Sequence, residues 1–446
     1  MAFYNLVLPA FQGPERMTGD LNVAVAALAG TDDDEARGFS ESLYRTLDDE
    51  LGRADTGLDI QVRGPDSIGR IDGESAAERA ASARRLARDI DADVVVYGSL
   101  EATDTGTQLR PEYWLSETKL RHPEDRVPVM GAVTVPDEPA GGQQLGAISV
   151  SGDIEALAPA RARLRAQLAR RTRAFAFFIL GLGYYAEALG ADAGSGAASA
   201  LGRAERWFRA AERGDSWDPR VGAVLHLFEG NVALLQRRLP DAEAEYRIAL
   251  RFDPGYVRAQ LGAAETRFHR SAGDCEPRRV DRAGLAEAAR GYAAVLASTD
   301  REPSVLGAKA AFGAGRVEVC RVIAGVGGSV ATAGRRFQDI IAMWRGGFRP
   351  VLSQASEAYG GLGLLHLLRA EQGGGRREYQ RAVDEYTEAL KLSVAAQRRG
   401  IFHGVLGYLY ARMHDEPAAR REYDRAMRLD PERRAAYLRE QRSLLD

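Results

Sequence analysis

A glycine followed at fixed intervals by alanine, tyrosine, alanine and proline occurs twice in this chain, and it restricts the fold more than any other feature. The intervals of 12, 4, 3 and 5 residues are the same in both copies. The copies are Gly230, Ala242, Tyr246, Ala249 and Pro254, and Gly407, Ala419, Tyr423, Ala426 and Pro431. Small side chains let two helices approach closely, a tyrosine fills the space left between them, and a proline interrupts the helix before it. The spacing therefore predicts repeated pairs of packed helices.

This order of small, small, aromatic, small and proline residues resembles the tetratricopeptide repeat, a pair of antiparallel helices of about 34 residues. In the second copy, Tyr410 also follows Gly407 as in that family. The resemblance implies an all-α solenoid in which each pair contacts only its neighbours and the stack presents a concave surface to a partner.

Weaker copies give a total of six predicted pairs. One combines Gly181 with Phe208 across a glycine-rich insertion at 190–202, and one combines residues 257–269 with 285–296. In the other two, Gly313 leads to Phe337 and Gly360 leads to Tyr386. Residues 433–445 are predicted to be a capping helix that covers the last apolar face.

The family resemblance also implies which first-helix side chains line the binding groove. In the first repeat these are Phe175, Phe178, Leu182 and Tyr185; in the second, Leu227 and Asn231; in the third, Arg258 and Glu265; and in the sixth, Tyr408 and Arg412. Aromatic and arginine side chains suit the capture of a peptide or a helix. The alternative is that some of them only pack against the neighbouring pair.

The region before the repeats alternates short apolar runs with amphipathic segments. Strands are predicted at 21–28 and 58–62, a helix presenting Phe39, Leu43, Leu47 and Leu51 lies between them, and a second helix spans 76–90. The continuous apolar run 94–97 is typical of a parallel strand covered on both faces. The pattern predicts a βαβαβ unit with extra strands at 108–115 and 129–135.

The order of these elements and the segment Ala92-Asp93-Val94-Val95-Val96-Tyr97-Gly98-Ser99 resemble the TolB amino-terminal-like domain over about residues 21–116. The resemblance implies a role in binding or assembly. The predicted fold class is thus an α/β N-terminal domain followed by an all-α tetratricopeptide-repeat solenoid. The predicted boundaries are an extension at 1–20, the α/β domain at 21–152 and the solenoid at 153–446.

Sequence motifs for common catalytic chemistry do not occur. A phosphate-binding P-loop needs lysine after glycine, whereas Lys119, Lys309 and Lys391 follow threonine, alanine and leucine. Three G-x-G pairs (181/183, 313/315 and 361/363) lie in helical repeats, and we interpret them as packing glycines. His226 and His403 are predicted to pack in the core. We therefore expect no catalytic residue, no metal site and no cofactor.

Composition gives weaker limits. A net charge of −3 favours neither nucleic acid nor an anionic membrane as the partner. The two cysteines, Cys275 and Cys320, are expected to be inert buried thiols. No uncharged run reaches the about 20 residues that a spanning helix needs. A cytoplasmic location is expected, with membrane association through a segment upstream as the alternative.

These observations lead to two functional hypotheses. The first is a non-catalytic scaffold or adaptor that binds a protein or peptide partner in the repeat groove; a homo-oligomer is compatible with it. The alternative is a sensor or regulatory module of a larger bacterial signalling or defence assembly, whose enzymatic part lies elsewhere.

Overall fold

A computed structural model describes residues 15–30, 33–54, 57–103, 106–115, 141–144, 148–151, 158–190, 195–214, 219–299, 302–393 and 396–445. The chain divides into two compact units. Among the described residues, the first unit holds those up to 232 together with 248–255, and the second holds 233–247 and everything from 256 onward. No described helix is both long enough and apolar enough to span a membrane.

The first unit contains a mixed sheet, with seven strands among the described residues. They are β1 (Leu21–Val25), β2 (Ala29–Gly30), β3 (Ile60–Arg63), β4 (Val94–Thr103), β5 (Gly106–Leu115), β6 (Gly141–Gln144) and β7 (Ile148–Ser151). β1 lies between β3 and β4 and pairs in parallel with both. β2 also pairs in parallel with β4, whereas β5 pairs with β4, β6 and β7 in antiparallel fashion. Every residue of β1 is buried, and four of its five residues are apolar.

Helices α1 (Asp33–Arg53), α2 (Pro65–Ile68) and α3 (Ala76–Ile90) connect the parallel strands. They confirm the predicted βαβαβ unit. α3 begins where the sequence predicts, because Ser75 accepts a hydrogen bond from the Glu78 backbone N–H while the Glu78 side chain accepts one from Ser75. The strand predicted at 129–135 lies outside the described residues.

Thirteen further α-helices follow within the described residues, and in chain order they give six successive pairs and a last single helix. They are α4 (Ala158–Gly190), α5 (Ser195–Gly214), α6 (Pro219–Leu235), α7 (Leu239–Phe252), α8 (Val257–Ala272), α9 (Arg282–Ser298), α10 (Val305–Ile323), α11 (Val330–Arg345), α12 (Leu352–Arg369), α13 (Gly375–Leu392), α14 (Ala396–Arg412), α15 (Glu416–Leu429) and α16 (Arg434–Leu445). The prediction of a glycine-rich insertion at 190–202 is wrong from Ser195 onward, because α5 begins at that residue. The alanine-rich residues there form the first turns of the helix.

The helices of the second unit form a repeat-like stack. From α8 onward each helix contacts the next one along the chain, and α8 also contacts α10, as α10 contacts α12. Gly291 faces Ala264 while Gly284 faces Ser271, so α8 and α9 run in opposite directions. At the end of the chain, Tyr437 of α16 packs with Tyr423 and Ala426, which confirms a covering helix at this position.

Glycine against an aromatic ring is the recurring contact within a pair. A Cβ atom added to Gly407 would lie 2.9 Å from the Tyr423 ring, and one added to Gly181 would lie 2.4 Å from the Phe208 ring. Any larger side chain would therefore push the two helices apart. These two contacts join the residues that the sequence pattern pairs.

In the fourth pair, the glycine that contacts the predicted aromatic partner is the second one of the G-x-G. Gly315, not Gly313, faces Phe337, and Gly313 instead faces Tyr292 of the preceding pair. Gly363 faces Tyr386, the aromatic residue predicted for the fifth pair. Residues two apart on a helix point about 200° away from each other, so the two glycines of one G-x-G serve two different neighbouring helices. The interpretation as packing glycines is confirmed.

Cys275 and Cys320 form a disulfide, so the prediction of two inert thiols is wrong. Cys275 lies just after α8, and Cys320 lies in the last turns of α10. Both are buried, and their Cα atoms are 5.0 Å apart. The sequence separation of 45 residues gave no sign of the pairing, because only the packing of α8 against α10 brings the two segments together.

Candidate functional site

Six of the predicted groove residues lie in the core of the first unit. They are Phe175, Phe178, Leu182 and Tyr185 of α4, and Leu227 and Asn231 of α6, and none is more than 2% exposed. The Phe175 ring lies 4.9 Å from that of Tyr113 on β5, and the Phe178 ring lies 5.8 Å from that of Phe208. The structure thus places these side chains in an aromatic core and not on a surface that a partner could reach. This agrees with the packing alternative for these positions.

Glu265 of α8 is also fully buried, and it is the centre of a cluster of polar side chains. Arg316 of α10 donates through one terminal nitrogen to both carboxylate oxygens, at 2.7 and 2.6 Å. The Tyr292 hydroxyl donates to the same carboxylate, and the His269 Nε2 atom lies 2.9 Å from it. The Arg316 guanidinium also lies over the Phe268 ring, 4.7 Å from its centroid.

The electrostatics of this cluster keep its two central groups charged. Burial acts to raise the pKa of Glu265, but the charge of Arg316 and the contacts with His269 outweigh it, so the pKa is lowered. Burial acts to lower the pKa of Arg316, yet the Glu265 carboxylate raises it overall. Burial and the nearby carboxylate both raise the pKa of Tyr292. A carboxylate that is already bound by three side chains is suited to holding helices in place, and not to proton transfer.

A second buried ion pair joins two later first helices of the stack. Arg398 of α14 contacts the Glu357 carboxylate of α12, and both side chains are almost fully buried. Lys309 of α10 is buried as well, with 1% exposed. We name Glu265, Lys309, Arg316, Glu357 and Arg398 the buried charge row; its members come from the first helices of pairs three to six.

Sequence reasoning identified only Glu265 of this row. A usable signal was present, since Arg316 is the one charged residue in the otherwise apolar stretch of α10 from Ala310 to Val317. Charged residues are almost never fully buried unless they are paired. A lone charge within an apolar helix face therefore indicates a partner on another helix.

Tyr408 and Arg412 of α14, which were predicted for the sixth repeat, lie at the surface and meet on Glu371. Arg412 donates through Nε and a terminal nitrogen to the two carboxylate oxygens, both at 3.1 Å. The hydroxyls of Tyr379 and Tyr408 donate to the same group at 2.7 and 2.9 Å. We name these four residues the Glu371 cluster. Its Arg412 and Glu371 side chains are 43% and 37% exposed, so a partner can reach them.

The pKa values in the Glu371 cluster follow from these contacts. Burial acts to raise the pKa of Glu371, but the hydrogen bonds from Tyr379, Tyr408 and Arg412 lower it overall. Partial burial and the nearby carboxylate raise the pKa of Tyr408 to about 12. Of the remaining predicted residues, Arg258 is half-buried in the first turn of α8.

The histidines predicted for the core are indeed buried, and each has a carboxylate partner. His226 lies 3.0 Å from Glu229 on the same helix, and His403 of α14 lies 2.5 Å from Glu422 of α15. Sequence reasoning predicted neither partner. His403 and Glu422 become neighbours only when their two helices pack together.

No protein-family model matches this chain, and no curated protein matches it either. The inferences below consequently depend on the contacts within the chain itself.

Proposed function

We propose that this protein is a non-catalytic scaffold of the tetratricopeptide-repeat type that binds a protein or peptide partner through its stacked helix pairs. The observation that carries the proposal is the repeated contact between a glycine on one helix and an aromatic ring on a neighbouring helix. This contact occurs within five of the six pairs, and it also occurs between successive pairs. Such packing extends a stack without supplying chemistry, and stacks of this kind serve as binding surfaces.

The charged clusters also favour binding over catalysis. Glu265 and Glu357 are each held by a buried arginine, and Glu371 is held by three donors. Catalytic acids and bases need a pKa near the working pH, whereas the pKa values of Glu265 and Glu371 are moved away from neutrality. These groups therefore stay ionised and act through charge and hydrogen bonding.

The Glu371 cluster is the surface that we propose for partner contact. Tyrosine and arginine contribute more binding energy at protein interfaces than most residue types. Tyr408 and Arg412 also occupy first-helix positions that the repeat resemblance assigns to the groove. Their geometry is fixed by Glu371, so they lose little conformational entropy when a partner binds.

Site-specific photo-crosslinking tests this function. A photoreactive amino acid in place of Tyr408, in the native host, is expected to trap a defined protein, whereas the same amino acid in place of the exposed Arg377 on α13 should not trap it. The purified partner should then bind Tyr408→Ala and Arg412→Ala at least about tenfold more weakly than the wild type, and Arg377→Ala equally well. Equal affinity for all variants would exclude this surface.

The disulfide supports the alternative of a regulatory module. It joins the segment just after α8 to α10, and a disulfide can be made and broken by thiol exchange in a suitable redox environment. If the protein is such a module, reduction should change its affinity for the trapped partner, and a Cys275→Ser/Cys320→Ser variant should behave like the reduced protein with and without reductant.

A further inference from the structure

A cavity of about 340 Å³ lies between α14 and α15, away from the residues discussed for partner binding. Its lining consists of Arg399, His403, Arg425, Arg428 and Leu429. Four of these five side chains carry nitrogen donors, and none carries an acid. A cavity with this lining is suited to an anion.

The acids near the cavity neutralise only part of this charge. Glu422 is shared between His403, at 2.5 Å, and Arg425, at 2.6 Å. Burial acts to raise the pKa of Glu422, but His403 and Arg425 lower it overall, so the group carries one negative charge. Among the described side chains, no carboxylate forms an ion pair with Arg399 or Arg428. The cavity therefore has an excess of positive charge.

Asp430 does not supply the missing partner, although it lies at the same end of the helix pair. It accepts a hydrogen bond from the Tyr437 hydroxyl at 3.1 Å, and its other ion-pair contact is with Arg433 at 3.8 Å. Its side chain is 1% exposed. Asp430 thus serves the contact with α16.

Arg399 is exposed, and its position at the start of its helix is electrostatically unfavourable. The first turn of a helix favours negative charge, yet the first turn of α14 contains Arg398 and Arg399 and no acid. Arg398 is accounted for by its ion pair with Glu357. Arg428 is in the last turn of α15, where a cation is favoured in any case. Arg399 alone has an unfavourable position that a bound anion would relieve.

We propose that this cavity binds a phosphate monoester dianion, either as a small free phosphate compound or as a phosphorylated side chain. A single carboxylate would neutralise only one of the two unpaired arginines, whereas a phosphoryl group offers three oxygens and nearly two negative charges. Arginine forms paired hydrogen bonds to such oxygens. Leu429 provides an apolar wall for the organic part of the ligand. This site is independent of the proposed contact at Tyr408 and Arg412.

Titration of the full chain tests the proposal. Isothermal calorimetry would use inorganic phosphate, phosphoserine, a phosphoserine peptide and the same peptide without phosphate, each at two salt concentrations. Saturable binding of a phosphate-bearing probe is expected, together with at least about tenfold weaker binding by Arg399→Gln/Arg428→Gln. The control variant Arg376→Gln/Arg377→Gln removes two exposed arginines of α13 and should bind as the wild type does.

The probes also distinguish the sources of the phosphoryl group. Tighter binding of the phosphopeptide than of phosphoserine would indicate a phosphorylated protein, and equal binding would indicate a small ligand. As a measurement without substitutions, phosphate should protect Arg399 and Arg428 from phenylglyoxal, as detected by peptide mass spectrometry. The proposal is overturned if no phosphate-bearing probe binds saturably, or if the double variant binds it with unchanged affinity.

Discussion

Glu265 shows how one residue can hold several helices. Its carboxylate receives donors from α9 and α10 as well as from His269 on its own helix. A buried ion pair adds little stability relative to well-packed apolar residues, but the removal of one partner leaves an uncompensated buried charge. The loss of either partner alone should therefore be more damaging than the loss of both.

Glu265→Gln is expected to lower the free energy of unfolding by about 3–5 kcal/mol, because Arg316 then stays buried without a counter-charge. Arg316→Met should cost a similar amount, and Glu265→Leu/Arg316→Met should cost less than either single substitution. Urea unfolding followed by circular dichroism measures all three. Glu302→Gln, at an exposed position, is the control and should change stability by less than about 0.5 kcal/mol. Additive losses would contradict a coupled pair.

The same carboxylate predicts a dependence of stability on pH. Since the pKa of Glu265 is lowered in the folded protein from an ordinary value of 4.5, its stabilising contribution is fully present above 4.5 and is lost as the pH falls toward the lowered pKa. The difference in unfolding free energy between wild type and Glu265→Gln should be constant from neutral pH to about pH 5.5 and should shrink below pH 4.5. Urea titrations at several pH values would show this. A difference that shrinks near neutral pH would point to another group.

At the scale of the helix, the close glycines decide how two helices fit together. Gly315 and Gly334 are both in helix interiors of the fourth pair, but their surroundings differ. A Cβ on Gly315 would lie 2.6 Å from the Phe337 ring, whereas a Cβ on Gly334 would meet only Leu365, at 3.7 Å. The two positions form a matched pair for one substitution.

Gly315→Ala is expected to destabilise the protein by about 1–3 kcal/mol, because the new methyl group forces the Phe337 ring to move. Gly334→Ala should stabilise it by about 0.5–1 kcal/mol, since alanine is the better helix former and has room here. Thermal unfolding of the two variants measures the contrast. Phe337→Leu should reduce the cost of Gly315→Ala if the ring is the obstacle. A stabilising Gly315→Ala would contradict the close contact.

The helices and strands were more predictable from the sequence than the contacts between side chains that lie far apart in the chain. The apolar periodicity of residues 76–90 gave the bounds of α3, and the intervals after Gly407 gave the contact with Tyr423, because both depend on residues near one another in sequence. The partner of Glu265 and the disulfide could not be predicted in this way. Each depends on how α8 packs against α10, for which no local pattern exists. Sequence likewise could not reveal that α4 presents its aromatic face to β5 and not to solvent.

At the scale of the whole molecule, the disulfide bears on both stability and location. It links Cys275 to Cys320 within the second unit. Disulfides are maintained in oxidising compartments and are rare in the cytosol, where thiols are kept reduced. The expected cytoplasmic location is still a prediction, and this bond weighs against it.

Reduction is expected to lower the unfolding free energy of the second unit by up to about 4 kcal/mol, the chain-entropy value for a closed loop of this size. Hydrogen exchange of α8 and α10 should become faster on reduction, with β1 of the first unit as an internal reference. A Cys275→Ser/Cys320→Ser variant should exchange at the reduced rate regardless of reductant. Unchanged exchange in the reduced wild type would show that packing alone holds these helices.

Phe337 faces Gly315 of its own pair and Gly361 of the pair that follows. One ring is thus shared between two neighbouring units of the stack, so neither can loosen without leaving the other with an unfilled gap. Melting of this part of the stack should accordingly spread from one pair to the next as a single cooperative event. A shortened array that ends next to Phe337 would therefore need a new surface to cover the exposed side of this ring.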